Sequence, residues 1–226
     1  MQATSRPQSK GYRGLPMEGM VARWYSGLRG TESQVEAYRK QAAQLTAGLP
    51  EGVAILEVAP GPGYFTIELA RLDRFRVTAL DISKTFVEIA TENARRQGVG
   101  VDFRHGDASD MPFDEGSFDL IVCQAAFKNF AHPVAALDEM HRVLRPGGAA
   151  VIQDMSKGAS AADIDREVSG MRVSRVRAFM TRVTLKRLRR RAYTVDQFRA
   201  LAASSAFGSS NIQASGIGLE VRLRKG

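Results

Sequence analysis

Between residues 53 and 152, apolar runs of strand length alternate with amphipathic stretches of helical length, and few folds satisfy that pattern. Residues 53–59, 75–80, 101–104, 118–123 and 149–152 read as strands. Residues 64–72, 84–96 and 133–144 read as helices between them, and residues 32–49 as a helix before them, with Val35, Tyr38, Ala42 and Leu45 on one side. Ser83 is placed to cap the helix that Gly98 ends. The run 118–123 is almost continuously apolar, as expected of a strand covered on both faces. Strict alternation of this kind predicts an open, mostly parallel α/β sheet. After Asp154 the pattern changes: residues 164–191 read as a long basic helix and 193–203 as another, with Thr194 as its cap. Residues 211–214 and 219–223 then read as two strands able to pair antiparallel.

In such sheets ligands bind at the carboxyl ends of the strands. Glu57, Asp81, Asp107, Gln124 and Asp154 all fall there. The first end continues as Glu57-Val-Ala-Pro-Gly-Pro-Gly-Tyr64, an acidic residue followed by a glycine turn. Gly61 and Gly63 let the backbone approach a ligand, and Pro60 and Pro62 stiffen the loop. A dinucleotide fingerprint would need a third glycine where Tyr64-Phe65-Thr66 stands, and a P-loop would need Gly-Lys-Ser/Thr, which is absent. Glu57 would repel a phosphate and suits a cationic amine. Asp81 can accept hydrogen bonds from ribose hydroxyls or oppose the dipole of the next helix. Asp107 can accept from an adenine amino group or shape a turn.

The segment 56–152 resembles class I S-adenosylmethionine-dependent methyltransferases, in the small-molecule branch related to ubiquinone and menaquinone biosynthesis. The resemblance rests on Glu57-Val-Ala-Pro-Gly-Pro-Gly63, Ala79-Leu-Asp81-Ile-Ser83, Gly106-Asp-Ala-Ser-Asp-Met-Pro-Phe113, Phe118-Asp-Leu-Ile-Val-Cys123 and Arg142-Val-Leu-Arg-Pro-Gly-Gly148, in that order. It implies a Rossmann-like, seven-stranded, mostly parallel sheet with an antiparallel last strand, helices on both faces and a helical cap. It implies S-adenosyl-L-methionine as cofactor, S-adenosyl-L-homocysteine as product, and no metal. Glu57, Ala59, Gly61, Gly63 and Gln124 would lie along the methionine part, Asp81 on the ribose, Ile82 on the adenine ring, and Asp107 with Ala108 at the adenine edge. Ala59 stands where the family usually has its first glycine.

Transfer of a methyl group by in-line displacement needs positioning above all, and a base only where the acceptor holds its proton. The expected acceptor is a small molecule, methylated on carbon or oxygen, with nitrogen open. His132, in the loop after the fourth strand, is the base candidate. Phe127, Lys128 and Asn129 share that loop and are candidate acceptor contacts, with an anchoring role for Phe127 as the alternative. Residues 1–30 are expected to form a flexible arm carrying Tyr12, Trp24 and Tyr25, either as a lid over the site or as a docked terminal helix. Residues 31–226 would be one methyltransferase domain, with a cap insertion around 156–192.

The net charge of +8 is concentrated between residues 172 and 191. There Val173, Val176, Met180 and Val183 alternate with Arg172, Arg175, Arg182, Lys186 and Arg189, a pattern that could break near Thr184. A solvated cap face, a contact with anionic membrane lipid and a nucleic-acid surface all fit that pattern. No RNA-binding module accompanies it, so nucleic acid is the weakest of the three. An RNA or protein methyltransferase, or a cofactor-binding subunit without activity, stand as alternatives to the small-molecule enzyme. The single cysteine, Cys123, excludes internal disulfides and a cysteine-rich zinc site. No apolar run reaches transmembrane length, and the polar N-terminal residues lack the apolar centre of a signal peptide, so a cytoplasmic protein is expected.

Overall fold

The computed structural model describes residues 11–13, 17–171 and 174–226. The elements run α1 (Gly19–Arg29), α2 (Glu32–Leu45), β1 (Ala54–Val58), α3 (Tyr64–Ala70), β2 (Arg76–Asp81), α4 (Lys84–Arg96), β3 (Asp102–His105), β4 (Phe118–Gln124), α5 (Pro133–Val143), β5 (Leu144–Met155), α6 (Ala161–Gly170), α7 (Arg175–Arg191), α8 (Val195–Ala203), β6 (Asn211–Ser215) and β7 (Gly218–Arg224). The seven strands form one sheet in the order β3-β2-β1-β4-β5-β7-β6. β1 to β5 pair in parallel, and β7 pairs antiparallel with both β5 and β6. The order reverses at β1, so the crevice between the ends of β1 and β4 is the topological switch point where ligands of such sheets bind.

Side chains of a strand point alternately to the two faces, and both faces here are buried. Leu56 and Val58 of β1 join Ile121 and Cys123 of β4 in a core closed by Leu137 and Met140 of α5 and Phe198 of α8. Ile55 joins Leu120, Val122 and Val151 in a second core closed by Ala42 of α2 and Phe65 and Leu69 of α3. Glu57 therefore occupies a position that the alternation reserves for the interior, and it is buried.

Ser83 caps α4 by accepting a hydrogen bond from Phe86 N at 3.0 Å, and Thr194 caps α8. Two boundaries differ from the sequence reading. β5 begins at Leu144 rather than residue 149, because Leu144 already pairs with Phe118. The register then shifts before Ala149 meets Leu120, and the Pro-Gly-Gly segment forms an irregularity within the strand. The long basic helix is two helices. α6 ends at Gly170 and α7 starts afresh behind Ser174, whose hydroxyl accepts from Arg177 N. The two are joined by an ion pair between Arg182 and Asp165 at 2.7 Å. No break occurs at Thr184: its hydroxyl bonds back to Met180 O at 2.9 Å and the helix continues to Arg191. Residues 19–29 of the expected arm are helical, as the terminal-helix alternative has it. Arg172 and Val173, and residues 1–10 and 14–16, lie outside the described residues.

Candidate active site

The carboxyl ends of β1, β2 and β4 open into a cavity of about 600 Å³, within the range of roughly 300–1,000 Å³ usual for ligand clefts. Glu57, Ala59, Gly61, Asp81, Ile82, Asp107, Ala108 and Gln124 line it. So do Tyr12, Tyr25, Lys128 and Asn129. Gly63, Phe127 and His132 are not in the lining.

The glycine turn explains why two similar residues separate. Ala59 and Gly61 both have left-handed backbone, φ 60° and 56°. A Cβ on Gly61 would meet open space. A Cβ on Gly63, at φ 79°, would come within 2.8 Å of Ala90 Cβ and 3.1 Å of the Phe103 ring. Gly63 is thus the N-cap of α3 and a close-packing point against α4 and β3, while Gly61 faces the cavity. Ala59 holds its left-handed conformation without glycine's freedom, which costs about 1 kcal/mol. Its amide donates to Leu80 O at 2.8 Å, tying the turn to β2.

Asp81 stitches two turns together. One carboxylate oxygen accepts from Gly61 N at 3.0 Å and the other from Ser83 N at 2.8 Å. Burial pushes its pKa up to about 6, and those amide bonds oppose the rise. Burial pushes Glu57 further, to about 8; the Thr66 hydroxyl, which donates to it, pulls the other way, and the Asp81 charge adds to the rise. Neither carboxylate has an ion-pair partner among the described residues. The two cations in the lining are otherwise engaged, Lys128 with Asp154 at 2.7 Å and Arg29 with the Tyr38 hydroxyl at 2.6 Å.

At the adenine end foreseen from sequence, Asp107 is oriented by Ser109, whose amide and hydroxyl donate to it at 2.9 and 2.8 Å. Residues 11–13 cross over this end. Gly11 lies so close to Asp107 that a Cβ would overlap the carboxylate. Gly11 O accepts from Ala131 N at 3.1 Å, Arg13 N donates to Asn129 O at 2.6 Å, and Tyr12 bridges to Phe130. Burial raises the Tyr12 pKa.

The loop after β4 divides between anchor and wall. Phe127 is wholly buried against Phe198 and Phe130, ring centroids 4.9 and 5.1 Å apart. Lys128 runs inward, its ammonium held by Asp154 and by Ala125 O. Asn129 Oδ1 is buried with no partner among the described residues. His132 is exposed at the N-cap of α5.

Several wall residues escaped the sequence reading. Tyr38 and Arg29 meet across the α1–α2 connection, and Thr184 and Leu188 reach the cavity from α7. Glu18 accepts from the amides of Lys84 and Thr85 at 3.0 and 3.1 Å, putting a carboxylate at the start of α4. Arg29 and Tyr38 are nine residues apart and Glu18 is 66 from Lys84, and no local pattern announces either contact.

Residues 56–152 match the family described as a methyltransferase domain. A demethylmenaquinone methyltransferase of Deinococcus radiodurans is 36% identical over 123 residues, 54% of this chain and 50% of that protein. The chain spans about half the length of the curated relatives it matches. The fold is shared with an S-adenosylmethionine-dependent methyltransferase from Aquifex aeolicus (17% identity, TM-score 0.67, covering 90% of this chain and 97% of that one). It is also shared with a putative one from Methanococcus maripaludis (20% identity, TM-score 0.70, covering 98% and 97%). The chain shares its fold with these methyltransferases, and residues 56–152 match the methyltransferase domain family and are similar in sequence to demethylmenaquinone methyltransferases.

Proposed function

We propose that this protein transfers a methyl group from S-adenosylmethionine to a small apolar acceptor. The observation that carries this reading is a pair of buried, unpaired carboxylates, Glu57 and Asp81, beside a turn whose Gly61 opens onto the cavity. A buried carboxylate without a cation is unfavourable, and a cationic ligand with ribose hydroxyls supplies what both lack. When bound, the cofactor supplies an electrophilic methyl group. Glu57 accepts its ammonium, Gly61 leaves room for the backbone approach, and Asp81 accepts the ribose hydroxyls. Ile82 and Ala108 pack on the adenine, with Asp107 at its edge.

The acceptor end is formed by Tyr12, Tyr25, Lys128 and Asn129. The phenol of Tyr12 offers an oxygen of the acceptor a hydrogen bond. His132 takes no part in this proposal, because it stands outside the wall. Residues 11–13 exclude water from the adenine end, the lid role expected of the arm.

Two helices frame the mouth: Val21, Trp24 and Tyr25 of α1 and Thr184 and Leu188 of α7 reach the lining. Met20 (87% exposed) and Trp24 (67%) on α1, and Val176 (74%) and Phe179 (63%) on α7, lie bare among arginines. That combination suits the surface of an anionic membrane, from which an apolar acceptor would enter. No helix among the described residues is long and apolar enough to cross a membrane. Demethylmenaquinone, named for the relatives, is the first acceptor to test.

Calorimetric titration with S-adenosylhomocysteine and with NADH tests the cofactor assignment. Binding of the first alone, weakened by about 1–3 kcal/mol in Asp81→Ala, is expected. NADH binding, or an unaffected variant, would refute it.

A further inference from the structure

Beside the methyl-transfer cavity lies a second concavity of about 680 Å³, walled by Arg13, Lys157, Arg190, Arg191 and Tyr193, with Lys128 common to both. No carboxylate lines it. The Lys128 ammonium is already neutralised by Asp154. The other four cations have no carboxylate within ion-pair distance among the described residues, although α7 does satisfy Arg182 with Asp165. Arg13 bonds Ala131 O at 3.1 Å and meets the Tyr193 hydroxyl, and Arg191 bonds Arg13 O at 3.2 Å. The wall is built on ordered backbone: Ser156 bridges to Tyr193, and Lys157 N donates to Tyr193 O at 2.9 Å.

Like charges converging on a concave surface repel one another until an anion enters, and guanidinium forks bind phosphate oxygens through paired hydrogen bonds. A single carboxylate has too few oxygens and too little charge for four cations. We infer that this groove is a binding site for a phosphate or diphosphate group. An anion bridging Arg13 to Arg190 and Arg191 would also hold residues 11–13 down on Asn129 and Ala131, so occupancy of the groove favours the closed arm. The group is free, borne by the acceptor, or the head group of a phospholipid at the mouth. The inference is independent of the methyl-transfer reading, since the titration that tests it needs no adenosyl ligand.

The experiment is calorimetric titration of the full chain with inorganic pyrophosphate at physiological ionic strength. Three proteins are compared: wild type, Lys157→Gln/Arg190→Gln, and Arg175→Gln/Arg177→Gln. All four substituted residues are exposed, so the folds persist, and thermal melts verify this. The last variant removes the same charge from the far end of α7. Binding weakened at least tenfold in the groove variant and less than twofold in the distal one is expected. No binding to wild type, or equal loss in both variants, would overturn the inference. Vesicles containing phosphatidylglycerol form a second arm. Groove-dependent vesicle binding displaced by pyrophosphate assigns the phosphate to a lipid head group, and vesicle binding indifferent to pyrophosphate assigns it to a soluble or acceptor-borne one.

Discussion

Glu57 is buried, has no cation, and is pushed to about 8, so at neutral pH the free protein holds it mostly protonated. A cationic ligand favours the ionised form, so binding must release that proton, and affinity must fall with pH below the free-protein value. Between about pH 7.5 and about pH 5.5 the ionised fraction drops roughly 70-fold for a group at 8. Asp81, raised to about 6, contributes about another fourfold in the same window. S-adenosylhomocysteine should therefore bind about 300-fold more weakly at the acid end. Calorimetry at pH 7 in buffers of differing ionisation enthalpy should show close to one proton released on binding. Glu57→Gln should lose that proton and flatten most of the profile. Stability of the free protein runs the opposite way. The folded pKa lies above the unfolded value of 4.5, so the stabilisation of the neutral form is fully present below 4.5 and gone above about 8. That amounts to about 5 kcal/mol in all, at about 1.4 kcal/mol per pH unit. Glu57→Gln should remove this slope from thermal melts while it weakens binding. A wild type with a flat binding profile and no proton release would refute the reasoning, because Glu57 would then be ionised before the ligand arrives or distant from its charge.

The two turn glycines should respond differently. Gly61→Val should abolish S-adenosylhomocysteine binding, seen by calorimetry, with a melting temperature lowered only by backbone strain of about 1–2 kcal/mol. Gly63→Ala should mainly destabilise the fold, by about 2–4 kcal/mol from strain plus crowding against Ala90 and Phe103, measurable by urea unfolding. Lys128→Met should cost about 3–5 kcal/mol by stranding Asp154, and Lys128→Met/Asp154→Leu should recover much of it; equal unfolding midpoints for the single and double variants would contradict that account. His132→Ala should leave turnover within about twofold of wild type, since the ring is exposed at a helix cap.

The sheet was legible because its information is local. A strand buried on both faces is mostly apolar, and the stretches 54–58, 77–80 and 120–123 announce β1, β2 and β4 that way, with Glu57, Asp81 and Gln124 at or near their ends. The same locality made Glu57, Asp81 and Asp107 readable as a set, and the structure brings all three into one wall. Where the reading erred, the deciding contacts were distant. The division of the basic segment depends on Ser174 as a fresh cap and on Asp165 reaching across to Arg182, while the arginine-rich composition of 174–191 looks the same in one helix or two. The irregular start of β5 depends on Leu144 finding Phe118, 26 positions away, before the glycines let the chain slip.

The glycine turn marks the limit most clearly. Gly61 and Gly63 are two residues apart, both flanked by proline or an aromatic residue, and both left-handed, so sequence assigns them one role. What separates them is that α4 and β3 lie behind one and nothing lies behind the other. The same reasoning applies to the basic groove. Arg13, Lys157, Arg190 and Arg191 come from an N-terminal arm, a loop after β5 and the end of α7, and each reads as an ordinary solvated cation in its own neighbourhood. Only the fold turns four unremarkable surface charges into a concave wall that lacks a counter-charge. That distinction decides whether the net charge of +8 is a matter of solubility or of a ligand still to be found.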